Sequence, residues 1–448
     1  MNVATTFAAS FLGLQSYEWW VIAIGALVCI SSGLVGCFLI LRKMALMGDA
    51  ISHSVLPGIA MAAWLTGSLS SFPAILGATI VGLLTPILID VLRSTGRIHE
   101  DASLGLVFTM LFSLGVVMIA NMGNIHLDLE CVLFGEIATT PFDRWIVNGI
   151  DMGPRAFWTI GTVLLLDVGF LLLFYKELKV ATFDPILAAS MGLRPRLLHY
   201  MLLGMVALTT IAAFESVGAI LVVAMLIAPG AAAYLLTDRL AVMLALSAVI
   251  GALCAGLGYA MALGMGGKVS VAGSMSTMAG LLFTGAFLFS PRYGLVNQAW
   301  KRIKLSQRLR REHILSTLYR WEEDGGVWME QAKMSELLQL SVRKLRRPGQ
   351  SLMQRGWLLW EDGKMRLTRT GRKRGMELVR AHRLWEAYLE NKLGYPPDHV
   401  HRDADEMEHF LSPELQRQLE LSLDSPTTDP HGKSIPSSSS SNDPSYNL

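Results

Sequence analysis

The chain has 448 residues, 52% of them hydrophobic, with a mean hydropathy of +0.43 and a formal net charge of +2 at pH 7. That apolar share excludes an ordinary water-soluble domain and points to many passes through a bilayer. Charge is uneven: twelve Lys and Arg precede Pro291 and 26 follow it, so a membrane part is succeeded by a soluble one.

In chain order, runs of about 20 apolar residues, enough to cross the hydrocarbon core as a helix, predict spans near 19–41, 50–66, 72–92, 102–120, 157–175, 197–214, 216–236, 240–262 and 274–290. Residues 1–17 contain no Lys or Arg, so the first run reads as a retained span rather than a cleaved signal. With the N-terminus outside, nine of the twelve basic residues fall on one face and only Arg144, Arg155 and Lys268 on the other, which places the soluble part in the cytoplasm. Between Asn121 and Phe157, "LECVLFGEIATTPF" is too short and mixed for an ordinary span and reads as a re-entrant or interfacial segment. Cys29, Cys37, Cys131 and Cys254 are scattered, with no CxxC pair, so neither a disulfide framework nor a Cys-based zinc site is expected.

After a membrane domain at 1–291, the basic stretch 292–311 reads either as an exit lying against headgroups or as a solvated helical linker. Residues 312–375 read as a winged helix: an amphipathic helix at Glu312–Glu323, short helices around Met334–Leu340 and Val342–Arg355, and a hairpin at "WLLWEDGKMRL" turning at Asp362-Gly363. Residues 376–436 begin with a long helix and continue into a His- and acid-rich segment; 437–448 is a low-complexity end expected to be disordered. The fold class is therefore an all-α polytopic membrane protein of about eight or nine spans, followed by a winged-helix domain and a helical metal-binding or dimerisation domain.

Within "LMGDAISHSVLPG", Asp49 and His53 stand four residues apart, on one helix face with Ser52 beside them. Ionisable groups at membrane depth normally face a bundle interior or a pathway. Carboxylate plus imidazole suits Mn(II), Fe(II) or Zn(II), and the lack of thiolate argues against Cu(I). The alternative is an Asp49 cap on a helix beginning near Ala50, with His53 an inward-facing, satisfied polar residue.

The stretch "RKMALMGDAISHSVLPGIA" resembles the signature of the permeases of metal-type ABC importers, and the likeness extends over about Leu14 to Pro291. "HEDASLGLVFTMLFSLGVV" and "VGAILVVAMLIAPGAAAYLL" resemble further segments of that family. The resemblance implies that Asp49 and His53 line the transport path, with a second permease subunit, identical or paralogous, supplying the other half of the site. It also implies a separate cytoplasmic ATPase and an extracytoplasmic metal-binding protein as partners. "FDPILAASMGLRPRLLHY" resembles the coupling helix that docks on the ATPase, with Asp184, Pro185 and Gly192 bounding it; otherwise it is an ordinary loop. Glu215 is a further candidate for the path, or a solvated acid at a membrane boundary. The chain has no P-loop, since "LGMGGKVS" lacks the Ser or Thr after Lys268, so it is not expected to be an enzyme.

From about Arg311 to Pro436, "EHILSTLYRWEE", "GWLLWEDGKMRLTRTGRKRG", "AHRLWE", "VHRDADEMEH" and "DPHGKSIP" resemble the diphtheria-toxin-repressor and manganese-regulator family. Carried over, His382, Glu386 and His401 match one metal site, and Asp405, Glu408, His409 and His313 the other, although that family has Met or Asp at the position of His313. By spacing alone, His382/Glu386 and Asp405/Glu408/His409 each occupy one helix face, which is also what a solvated His/acid face would show. Arg343, Lys344, Arg346 and Arg347 lie on the candidate recognition helix, but Pro348-Gly349 is expected to kink or break it, so DNA is a doubtful partner. The expected function is a permease subunit for manganese, with zinc or iron(II) as alternatives, no organic cofactor, and a tail that senses metal or is only structural. The competing reading is a membrane-tethered, metal-dependent transcription regulator.

Overall fold

A computed structural model describes residues 15–66, 71–94, 99–121, 137–147, 150–266 and 269–437. The expected retained leader before residue 15, residues 122–136 of the mixed segment and the low-complexity end from residue 438 lie outside the described residues. The chain forms two compact units, the first ending at Gln298 and the second beginning at Ala299.

In a bilayer each backbone N–H and C=O must be satisfied inside its own segment, so the apolar runs of the first unit become helices. These are α1 (Ser16–Leu41), α2 (Met47–Ser54), α3 (Leu56–Thr66), α4 (Ser71–Ser94), α5 (Glu100–Ala120), α6 (Arg155–Leu173), α7 (Tyr175–Phe183), α8 (Pro185–Ser190), α9 (Pro195–Val217), α10 (Ala219–Leu236), α11 (Leu240–Gly264) and α12 (Val271–Phe289). Eight of them, among the described residues, are long and apolar enough to cross a membrane.

The expected span 50–66 is instead two short helices, α2 and α3. Pro57 contributes no N–H, and the Val55 carbonyl accepts from both Gly58 and Ile59, so the chain turns there. The expected span 216–236 starts later, because Gly218, at φ +77°, ends α9 before α10 begins. One element was not anticipated: an antiparallel hairpin of β1 (Arg144–Val147) and β2 (Ile150–Pro154) leading directly into α6.

Helix α1 is the hub of the first unit. It packs against α6, α9, α10 and α11, burying Val21, Ile24, Val28, Val35, Phe38 and Leu39. Small residues let the backbones approach, as is usual between membrane helices. A Cβ on Gly36 would stand 1.9 Å from the Leu226 carbonyl oxygen of α10, and one on Gly48 would stand 2.6 Å from the Leu226 side chain. Leu226 lies well inside α10, one of the helices long and apolar enough to cross a membrane, so the first turn of α2 packs against the middle of that helix. Gly36→Ala is accordingly expected to force α1 from α10 and cost about 1–3 kcal/mol. A lowered melting temperature of the detergent-solubilised protein checks this; an unchanged one contradicts it. Deeper in the unit, Ser31 of α1 and Thr209 of α9 both donate to the fully buried Asp167 of α6.

The second unit begins within α13 (Leu295–Glu323), one unbroken helix that runs through the expected boundary at residue 311. The stretch has no Gly or Pro between Leu295 and Glu323 and is rich in good helix formers, so nothing stops it. Next come β3 (Met329–Glu330), α14 (Gln331–Leu337), α15 (Val342–Gln354), β4 (Leu358–Glu361) and β5 (Lys364–Leu367), with strand order β3-β5-β4. Asp362 and Gly363 both have positive φ, +47° and +76°, as the tight hairpin turn read from the sequence requires. Ile314, Leu315, Leu318, Met334, Leu345, Leu352, Leu358 and Met365 form the winged core.

Helix α15 is continuous through Pro348, against the expected break. Pro348 and Gly349 are both buried, and a Cβ on Gly349 would meet the Trp360 ring of β4 at 2.3 Å. Tertiary packing on the hairpin overrides the local cost of Pro. Beyond the hairpin lie α16 (Arg369–Leu393), α17 (His401–Met407) and α18 (Pro413–Ser422).

Candidate metal sites

The first turn of α2 carries Asp49 and the last carries His53. One helical turn brings His53 Nε2 to 3.4 Å from Asp49 Oδ1. The helix starts at Met47, two residues before Asp49, and has no side-chain cap, so Asp49 is not the cap of the alternative reading. Ser52 does not join the pair: it is buried, and its hydroxyl donates to the Gly48 carbonyl at 2.8 Å. On the buried face, Ser54 and Thr85 of α4 share a hydroxyl hydrogen bond of 2.6 Å. The His53 ring lies 5.5 Å from Phe108 and 6.0 Å from Phe112 of α5, which confine it. The pair itself stays partly open, at 24% side-chain exposure for His53 and 41% for Asp49. Glu215 falls in α9 near its C-terminus, and its side chain lies outside the described residues.

The segment 184–192 forms the short helix α8. Asp184 caps it by accepting from Leu187 N at 2.9 Å, Pro185 occupies the first turn where no N–H is needed, and Gly192 closes the end at φ +80°. Ala188 is buried, while Phe183, Ile186 and Met191 are exposed, giving a capped turn with an apolar outer face.

In the second unit the His- and acid-bearing faces of α16 and α17 meet. His382 Nε2 is 3.1 Å from Glu386 Oε1, His401 Nδ1 is 2.7 Å from the same oxygen, and the two imidazoles approach to 3.2 Å. Separately, His313 of α13 and His409 bring their Nε2 atoms to 3.2 Å, with Glu408 Oε1 3.7 Å from His409 Nε2. Asp405 does not sit with His409 as the carried-over pattern implied; it faces His382, with Oδ1 3.3 Å from Nδ1. Glu408 Oε2 is 3.0 Å from the same Nδ1. Hence, among the described residues, three groups can each offer ligand atoms within 4.8 Å of one another: His382/Glu386/His401, His382/Asp405/Glu408 and His313/Glu408/His409. His382 and Glu408 are shared, so the two expected sites are joined.

Charges in this cluster are strongly perturbed. Burial pushes the Glu386 carboxyl up, but hydrogen bonds with His382 and His401 outweigh it and hold it at about 2. Burial pulls His382 down, and its bonds to Glu386 and Glu408 more than offset this, leaving it above its usual value. His313 is lowered by burial and by His409. Three residues escaped the sequence reading. Glu312 accepts from His409 Nδ1 at 3.0 Å and from Arg308, and Arg320 lies 3.5 Å from Glu408. His431 Nε2 stands 4.0 Å from Glu386, on a turn that Asp429 organises and Arg383 clamps. The "DPHGKSIP" string contained the signal for His431, but no helical spacing relates residue 431 to 386.

The fold and these clusters define a multi-pass membrane protein joined to a repressor-like helical domain. The chain belongs to the ABC 3 transport family, which matches residues 16–290. Residues 368–437 match the iron dependent repressor, metal binding and dimerisation domain. Among its relatives is the manganese transport system membrane protein MntD of Bacillus subtilis (strain 168), 48% identical over 294 residues, or 65% of this chain and 99% of that one. The zinc transport system membrane protein TroD of Treponema pallidum (strain Nichols) is 38% identical over 354 residues, covering 78% of this chain and 96% of that one. Among solved structures, PsaBC from Streptococcus pneumoniae in complex with Fab matches 68% of this chain and 100% of that chain at 31% identity, with a TM-score of 0.54.

Proposed function

We propose that the chain is the permease subunit of an ATP-driven importer of a divalent transition metal, manganese first and zinc or iron(II) as alternatives. The observation that carries this is the Asp49/His53 pair, held one turn apart on a helix packed against the middle of α10 and still partly open. Oxygen and nitrogen donors of this kind suit a cation of borderline hardness, and two ligands are too few to hold one. A second permease subunit facing α2 supplies the rest, and an extracytoplasmic binding protein delivers the ion. ATP is hydrolysed by a separate cytoplasmic chain that receives α8 in a surface groove, where the exposed Ile186 and Met191 provide apolar anchors.

The second unit is proposed to be cytoplasmic and metal-responsive. Its donor set fits a resident ion of the same class: imidazole nitrogens and carboxylate oxygens of His382, Asp405 and Glu408 lie within 4.8 Å of one another, with no thiolate among them. Filling of this cluster reports cytoplasmic metal and throttles transport.

The test is uptake of radiolabelled Mn(II), Zn(II) and Fe(II) in metal-starved cells expressing the importer components. Accumulation of manganese, competed by excess unlabelled Mn(II), is expected. Uptake that survives loss of every candidate ATPase would overturn the proposal in favour of a gradient-driven transporter. One observation favours the tethered-regulator reading: α15 is unbroken and exposes Arg343, Lys344, Arg346 and Arg347 together. Tight, Mn(II)-dependent retardation of an operator fragment by the full-length protein would establish that reading.

A further inference from the structure

We propose that Arg42, Asp90 and His199 are positioning residues that link the segment 184–192 mechanically to the helix carrying Asp49 and His53. The inference rests on the permease reading and on docking of that segment onto the ATPase.

These residues come from three different elements and meet beside α8. Arg42 is the C-terminal cap of α1; its Nε donates to Thr182 of α7 at 3.2 Å, and its Nη1 is 3.3 Å from His199 Nδ1 of α9. His199 Nε2 faces Asp90 of α4 at 3.6 Å, and the Tyr200 hydroxyl donates to the same carboxylate oxygen at 2.9 Å. A guanidinium only donates, so His199 Nδ1 accepts and its proton lies on Nε2, toward Asp90. The imidazole is thus a bridge with a fixed direction between a cation and a carboxylate. Thr182 lies two residues before the cap of α8 and His199 seven after Gly192, so both chain ends of the docking segment are held by this network.

From Arg42 and Asp90 two short routes reach α2. Arg42 is followed by a tight turn, with Lys43 at φ +60° and Met44 N bonded back to Leu39 O, and α2 starts at Met47. The four intervening residues leave little slack. Asp90 lies on the same helix as Thr85, whose hydroxyl bonds Ser54, the neighbour of His53. The metal-bearing helix is therefore gripped at both ends by elements that the Arg42–His199–Asp90 chain ties to the docking segment. Packed helices move as units, and such a continuous chain of polar contacts can carry coupling between separate sites.

The experiment uses the permease reconstituted in lipid vesicles with its ATPase and binding protein. Mn(II) transported and ATP hydrolysed are measured together for wild type, Arg42→Gln, Asp90→Asn, the double variant and Tyr200→Phe. Hydrolysis is expected to persist while Mn(II) moved per ATP falls about two- to thirtyfold in each single charge variant, the range such network residues contribute. The double variant should be no worse than either single one, since both break one chain. Tyr200→Phe, which removes one hydroxyl and leaves the fold, should shift the ratio the same way by less. Parallel loss of hydrolysis and uptake would mean a merely structural role and overturn the proposal, as would unchanged ratios in all variants. Absence of ATP-driven uptake in wild type would instead strike the permease reading itself.

Discussion

Replacing His53 by Ala is expected to abolish ATP-driven metal uptake while leaving the protein folded and its ATPase active. The side chain lies partly open against Phe108 and Phe112, so truncation removes the proposed ligand without emptying a core. Groups that merely orient a metal ligand already change affinity by about 10–100-fold. On the proposed arrangement, in which each subunit contributes two donors, loss of one should do at least that, and doubly so if the partner is a second copy. Rates measured at matched membrane expression decide the matter. Wild-type uptake in His53→Ala would remove the pair from the path, whatever the family resemblance.

Glu408→Gln should impair two of the three groups of the tail cluster at once. Its carboxylate lies 3.0 Å from His382 and 3.7 Å from His409, so it belongs to both the Asp405 and the His313 groups, whereas His401 serves only the group around Glu386. Measured on purified full-length protein, metal bound at the tail should weaken by about 10–100-fold or more in Glu408→Gln. His401→Ala should affect one class of site and leave the other. In the metal-free protein the same Gln removes the counter-charge near Arg320 and His382, so its melting temperature should also fall. Equal effects of the two substitutions on one class of site would refute the shared role of Glu408.

Much of this architecture is legible in the residues. Apolar runs gave the spans, the i, i+4 rule placed Asp49 with His53 and His382 with Glu386, and Asp362-Gly363 marked its hairpin. The failures have physical causes. The pair of helices α2 and α3 looks like one span because hydropathy does not register the turn at Val55 or the missing N–H of Pro57. The hairpin β1–β2 carries its own signal, the dipeptide Asn148-Gly149 between two short stretches, which a hydropathy pattern of about 20 residues does not register. The basic stretch 292–311, readable either as an exit against headgroups or as a helical linker, runs on into the amphipathic helix because no Gly or Pro lies between Leu295 and Glu323. Pro348 shows the reverse: a real local penalty outweighed by burial of Pro348 and of Gly349, the latter close against Trp360. Asp405 lies against His382 as well as within electrostatic reach of His313, because spacing along α17 fixes a face but not which imidazole that face meets.

The measurement that bears most directly on the central claim is Mn(II) accumulation in sealed vesicles containing this permease, its ATPase and the binding protein. The account predicts accumulation against a gradient with ATP, none with a hydrolysis-dead ATPase, and none with His53→Ala. Equal accumulation in the presence of the dead ATPase, or with His53 replaced, would contradict it.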